Sequence, residues 1–158
     1  CAGVDLVAFN AYPGTIPATP GTPAQLKAKV EKRFTSAIAR FRRLYPDKPI
    51  MVSESGCAGM YGVHDPNASI STEEYQEEYL RDILECLWAN PDCSGFSIWQ
   101  MNDGRTRERY CDKSCSAEFG GSLAGCYDQF RRPKMSVATV SRFFRRAWTE
   151  RDRQGTGK

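Results

Sequence analysis

Three short, nearly continuous apolar segments recur along the chain, each separated from the next by a long amphipathic stretch. This alternation limits the fold more than any other feature. The segments are Val4-Asp5-Leu6-Val7-Ala8-Phe9, Pro49-Ile50-Met51-Val52-Ser53-Glu54 and Ser94-Gly95-Phe96-Ser97-Ile98-Trp99-Gln100, and their apolar runs predict buried strands. After Pro13-Gly14 and a Pro-, Thr- and Gly-rich loop from Ile16 to Pro23, a helix is predicted from Ala24 to Leu44. Leu26, Val30, Phe34, Ile38 and Phe41 line one of its faces, while Lys27, Lys29, Lys32, Arg33, Arg40 and Arg43 read as a solvated exterior. Pro46 ends it. A loop runs from Gly56 to Ile70, and Ser71-Thr72-Glu73-Glu74 then reads as a capping box. The helix it opens turns Tyr75, Tyr79, Ile83 and Leu87 inward and stops before Pro91. A last helix is predicted from Met135 to Trp148.

Helical crossovers of this length imply parallel strands covered by helices. With 158 residues, 41% hydrophobic and 26% charged, the chain suits one globular domain and excludes wholesale disorder. Residues 1–150 are read as that unit and residues 151–158 as a disordered tail. The net charge of +3 makes no case for nucleic acid, and no apolar run approaches the roughly 18 residues that span a bilayer. Two architectures fit: an open doubly wound sheet, or part of a (β/α)8 barrel. The polar residues favour the barrel, because Asn10 and Tyr12, Glu54, and Trp99 with Asp103 fall at or just past the C-terminal ends of successive strands, where barrel enzymes place their chemistry. A complete barrel takes roughly 250 residues, so the expectation is an α/β fold made of the last three βα units of an incomplete barrel. The first residue is Cys1 rather than Met, which fits a processed product or a partial gene.

Glu54 is the candidate of greatest interest. A strand that delivers a carboxylate and turns sharply at Gly56 presents that group at the barrel mouth. Retaining glycoside hydrolysis needs a nucleophilic carboxylate there, with a second carboxyl about 5 Å away as acid and then base. Trp99 at the next strand end offers a floor on which the apolar face of a sugar can stack. Asn10 and Tyr12 can hydrogen-bond sugar hydroxyls or the nucleophile. Each residue also has an ordinary reading: a surface ion pair for Glu54, a core plug for Trp99, a strand-end turn for Asn10. The combination is more specific than any one of them.

These residues resemble the catalytic barrel of glycoside hydrolase family 2, the β-galactosidases, β-glucuronidases and β-mannosidases. The matching runs are Asp5 to Tyr12, Lys48 to Gly56, Ser71 to Gln76, Phe96 to Asp103, and Arg131-Arg132-Pro133-Lys134. The resemblance implies that Glu54 is the nucleophile, that Asn10 and Tyr12 are active-site polar groups, and that Trp99 is the aromatic platform. It also implies that Asp103 and Arg105 belong to a polar cluster beyond Trp99, counted here with the substrate-binding residues. Two departures stand out. The family's acid/base Glu follows an Asn at the fourth strand and would lie before Cys1, so this chain alone is expected to be inactive. The Asn-x-Lys-Gly motif with which the family's β-glucuronidases grip the sugar carboxylate is replaced by Ser122-Leu123-Ala124-Gly125. Loss of that cation points to a neutral sugar such as galactose.

The expected function is therefore that of a retaining exo-β-glycosidase, this chain carrying its nucleophile. The alternatives are a non-catalytic carbohydrate-binding or interaction module derived from such a barrel, or another retaining barrel hydrolase of the endo-mannanase or cellulase type. The partners implied are a β-glycoside and the N-terminal remainder of the same barrel; a homo-oligomer stays open, and no cofactor is implied. Seven Cys is an odd number, so at least one cannot pair within the chain. Cys111, Cys115 and Cys126 are read as a loop disulfide rather than zinc ligands, and Cys57 and Cys86 as small hydrophobes. His64 is read as a rim or turn contact.

Overall fold

The computed structural model describes residues 3–14, 23–105 and 121–155. Three parallel strands, β1 (Val7–Asn10), β2 (Ile50–Ser55) and β3 (Gly95–Ile98), form one sheet in the order β1-β2-β3. Helix α1 (Pro23–Leu44) links β1 to β2, and α2 (Glu73–Trp88) links β2 to β3. A two-stranded antiparallel ribbon, β4 (Gly104–Arg105) with β5 (Gly121–Ser122), precedes α3 (Met135–Gly155).

The core follows from the two hydrophobic periodicities. Leu26, Val30, Phe34 and Ile38 are buried along α1, as their spacing predicts, and Tyr75, Tyr79, Ile83 and Leu87 along α2. Helix α2 is central, packing against α1 on one side and α3 on the other. Below this helical layer, Ile50 and Val52 of β2 are fully enclosed. Each buried aliphatic side chain here contributes about 1.5–3 kcal/mol through removal of apolar surface from water. On the other face of the sheet Ala8, Asn10 and Ser97 are exposed and Met51 is half-buried. The strands are thus buried against helices on one face only.

Several boundaries differ from the sequence expectation. The N-cap of α2 is Thr72, whose side chain accepts from the Tyr75 amide at 3.2 Å, and Ser71 instead adopts a left-handed φ of 71°. The capping box fails because the two glutamates have better partners elsewhere. Glu73 accepts from the amides of Gly62 (2.7 Å) and Met135 (2.6 Å), and Glu74 from the Asp65 amide (3.1 Å) and His64 Nδ1 (2.9 Å). The ribbon β4–β5 had no sequence signal, being two residues on each side. Helix α3 continues past Trp148 to Gly155, so residues 151–155 of the expected tail have helical backbone, and residues 156–158 lie outside the described residues. Cys126 is a buried free thiol rather than part of a loop bridge, and Cys57, Cys86 and Cys93 are also free; Cys111 and Cys115, like the loop from Thr15 to Thr22, lie outside the described residues.

Asp82 is a buried carboxyl on α2, and burial pushes it up to about 6 from 3.8, Lys27 and Arg81 offsetting only part of that while Glu78 and Glu85 add to it. Its charge therefore disfavours the folded state above that pH, and the penalty fades as pH falls through 6 toward 3.8. Asp82→Asn is expected to raise stability at pH 7 by about 1 kcal/mol, allowing for solvent screening. The gain should disappear near pH 4 (roughly the unfolded carboxyl value); thermal denaturation of both proteins at the two pH values checks this, and equal midpoints at pH 7 would refute it.

Candidate active site

Strict alternation along β2 would send Glu54 the same way as Ile50 and Val52, into the helical layer. The strand does not alternate throughout: its burial runs buried, intermediate, buried, intermediate, intermediate, buried. The register shifts between Phe9 and Asn10 on the β1 side, so that Asn10 sits opposite Glu54, and between Val52 and Ser55 on the β3 side. One irregular step inverts the parity, turning Glu54 out of the core and Ser55 into it. Ser55 is fully buried, its hydroxyl 2.9 Å from the Tyr79 hydroxyl.

The outward carboxylate has a fixed donor. Tyr12, two residues past β1, donates its hydroxyl to Glu54 Oε2 at 2.7 Å. Burial holds the Tyr12 phenol well above its ordinary pKa, and the hydrogen bond and charge of Glu54 raise it further, so the phenol stays a donor at all physiological pH. Asn10 Oδ1 accepts from the Ser53 hydroxyl at 2.7 Å, which orients the amide with its Nδ2 hydrogens away from Ser53. Asn10, Tyr12 and Glu54 thus share the C-terminal edge of the β1–β2 pair.

Trp99 follows β3 directly and is 43% exposed, the Trp99–Gln100 peptide being cis. Its amide donates to the Ser55 carbonyl at 2.8 Å, which ties the indole-bearing residue to the residue next to Glu54. Gly56 is required at this junction: a Cβ there would lie 1.8 Å from the Trp99 carbonyl oxygen.

Asp103 is not brought to the same surface. Its side chain is 7% exposed and pairs with the fully enclosed Lys134 Nζ at 2.8 Å, and its Oδ1 also accepts from the Gly125 amide at 2.8 Å. Burial nonetheless raises its carboxyl above the ordinary range, against the opposing pull of Lys134. The Arg105 backbone pairs with Gly121 in the ribbon, while its side chain lies outside the described residues. His64 bonds Glu74 at the loop rim. Lys134 and Gln76 enter the sequence reading only as members of matching runs, with no contact assigned to either; Gln76 is fully buried and bonds the carbonyls of Cys57 and Gly125, each at 3.1 Å. For Gln76 the available signal was its place among the apolar positions of α2, since a buried polar side chain must have partners; Lys134, just before α3, gave none. Among the described residues, no group of three or more His, Cys, Asp or Glu is placed to hold a metal ion.

No protein-family model matches the chain, and no curated protein matches it in sequence. Solved structures do. A β-galacturonidase of glycoside hydrolase family 2 from Eisenbergiella tayi, bound to glycerol, superposes with a TM-score of 0.74 at 26% identity over 89% of this chain and 23% of that one. A β-glucuronidase from Ruminococcus gnavus, in complex with an N1-substituted uronic isofagomine, gives 0.69 at 25% identity over 88% and 23%. The β-D-glucuronidase of Dictyoglomus thermophilum gives 0.71 at 24% over 89% and 22%. The chain therefore spans less than a quarter of the length of these enzymes. The fold is that of a segment of these glycoside hydrolase structures. Within that class the chain is related to glycoside hydrolase family 2.

Gly56→Ala should force Trp99 and β2 apart and destabilise the chain by about 1–3 kcal/mol, the usual cost of overpacking a closed site. Urea denaturation with the tryptophan near-ultraviolet dichroism as a second probe checks this, and an unchanged midpoint and spectrum would show that the junction is not tight.

Proposed function

We propose that this chain is the nucleophile-bearing segment of a retaining β-glycosidase, the last three units of a (β/α)8 barrel. The observation that carries the reading is the turned-out Glu54, held by Tyr12 on the same strand ends that carry Asn10 and the exposed Trp99. Support for the barrel comes from the sequential parallel strand order and the single helical layer, with a largely uncovered opposite face. Exposed apolar residues also gather at both sheet edges, Val4 and Leu6 beside β1, and Trp88 and Phe144 around an apolar groove of about 430 Å³ beside β3. Further strands would cover such edges.

In this reading Glu54 Oε attacks the anomeric carbon, the glycosidic C–O bond breaks, and the leaving alcohol takes a proton from the second carboxyl, which a segment outside these residues supplies. Water, deprotonated by that same carboxylate, then displaces Glu54 and releases the sugar with its configuration retained. Trp99 gives the ring an apolar floor, Asn10 donates to a hydroxyl, and Tyr12 holds the carboxylate in the attacking orientation. Asp103 and Arg105 stay on the reading as the polar cluster beyond Trp99, Asp103 acting through backbone rather than by direct contact.

On sugar identity, the neighbours named above are uronidases and give galactose no support. What favours a neutral sugar is Ala124, standing where the resemblance to β-glucuronidases calls for a lysine. Its backbone is anchored by the Gln100 amide, which donates to the Ala124 carbonyl at 3.1 Å.

Glu54→Gln in the protein carrying both carboxyls is expected to lower kcat by at least about 10⁴-fold while changing KM by less than tenfold. Hydrolysis of an aryl β-glycoside measures this, and a kcat within tenfold of the parent would overturn the assignment. Ala124→Lys should raise the ratio of kcat/KM for an aryl β-glucuronide over the matching β-galactoside by about tenfold or more, because an ammonium there pairs with the uronate. An unchanged ratio would remove Ala124 from the specificity argument.

A further inference from the structure

The loops that leave β2 and β3 meet around one buried cation. Lys134, the residue before α3, has a side chain with no solvent exposure. Its Nζ donates to the Gly59 carbonyl at 2.5 Å, to Asp103 Oδ1 at 2.8 Å and to the Leu123 carbonyl at 3.0 Å. Those three acceptors match the three hydrogens of an ammonium group. They belong to three different stretches: Gly59 to the loop after Glu54, Asp103 to the segment after Trp99, and Leu123 to the arm after β5.

The same three stretches are laced together by backbone. The Gly59 amide donates to the Leu123 carbonyl at 3.0 Å, and the Gln100 amide to the Ala124 carbonyl at 3.1 Å. The Gly125 amide donates to the Asp103 carboxylate at 2.8 Å. Gln76 adds a second strut, its Nε2 donating to the carbonyls of Cys57 and Gly125 while Ser136 Oγ holds its Oε1 at 2.9 Å. There is no slack at the crossing. A Cβ on Gly125 would lie 2.2 Å from the Asp103 nitrogen, and one on Gly59 would lie 2.7 Å from Gln76 Cβ.

We propose that Lys134 is a positioning residue, its ammonium locking the Ser122–Gly125 arm and the Trp99–Asp103 segment onto the loop that follows Glu54. The spacing between sugar platform and nucleophile is then set by a cation that touches no substrate. A device for bulk stability alone would not need this chemistry, since a buried ion pair can be exchanged for apolar packing with little loss. What apolar packing cannot supply is a simultaneous donor to two carbonyls from two loops. The consequence for turnover rests on the glycosidase reading, whereas the lock itself does not.

The test compares the parent chain with Lys134→Met and with Lys134→Met/Asp103→Asn. The double variant leaves no unpaired charge and keeps an acceptor for the Gly125 amide, so it guards against simple misfolding of the single one. Amide hydrogen exchange read by mass spectrometry should accelerate by about tenfold or more at residues 57–62 and 122–126 in the double variant, with α1 unchanged, because local opening no longer breaks the lock. Unchanged exchange in those segments, or a uniform rise along the chain, would overturn the proposal. In the protein that turns over an aryl β-glycoside, the double variant, assayed well below its own thermal midpoint so that unfolding does not contribute, should lose about 10²-fold in kcat/KM, as small misplacements of catalytic groups cost. Activity within threefold of the parent would also overturn it. A parent with no turnover overturns the glycosidase reading instead, and the exchange result still decides the lock.

Discussion

Strand β2 is hydrogen-bonded on both sides, and the break in its alternation is the constraint from which the rest of the site follows. Up to Val52 it behaves as a core strand, packing Ile50 and Val52 beneath the helices. Past Val52 the register with both neighbours shifts, and the next two side chains stay on the open side before Ser55 turns in. An ionised carboxylate buried in the helical layer would lose several kcal/mol of hydration. The bulge avoids that cost and at the same moment delivers Glu54 to the Tyr12 hydroxyl. Core packing and site geometry are thus two results of one backbone irregularity.

The remainder of the C-terminal rim is organised by polar groups below the surface rather than on it. Glu73 spans two structural units, accepting from Gly62 in the loop after β2 and from Met135 at the start of α3. Lys134 and Gln76 do the same for the loops after β2 and β3. Each is a buried side chain with its hydrogen-bonding groups engaged, the condition under which such groups give a unique arrangement instead of a penalty. Removing only one partner of the Lys134–Asp103 pair would cost about 3–5 kcal/mol, since it strands a buried charge.

Relation to glycoside hydrolase family 2 and the local chemistry point the same way, although they have different weight. The solved structures share the fold over most of this chain while the chain covers less than a quarter of them. The residue-level reading of Glu54, Tyr12, Asn10 and Trp99 comes from what these side chains can do at four adjacent positions. Ala124 is where the two diverge, because the neighbours are named as uronidases and, on the proposed reading, this chain has a methyl group where a cation would grip a uronate.

What the sequence determined by itself is the three strands of the main sheet, the three helices and the parallel direction of those strands. The apolar spacing of α1 and α2 is a one-dimensional property and survives in the buried faces of Leu26 to Ile38 and Tyr75 to Leu87. The short apolar runs with long helical crossovers made the strands parallel, and the strand-end positions of Asn10, Glu54 and Trp99 were readable for the same reason. What only the tertiary structure decided are the features that depend on chains meeting far apart in sequence. The bulge that re-aims Glu54 comes from pairing with two neighbours at once. The shift of the α2 cap from Ser71 to Thr72 goes with Glu74, the acceptor a box on Ser71 would need, bonding the Asp65 amide and His64 in the loop instead. The withdrawal of Asp103 from the surface comes from Lys134, thirty-one positions along, reaching it inside the fold. Local periodicity encodes which face of an element is apolar; it has no means of encoding which polar group will be waiting on the other side.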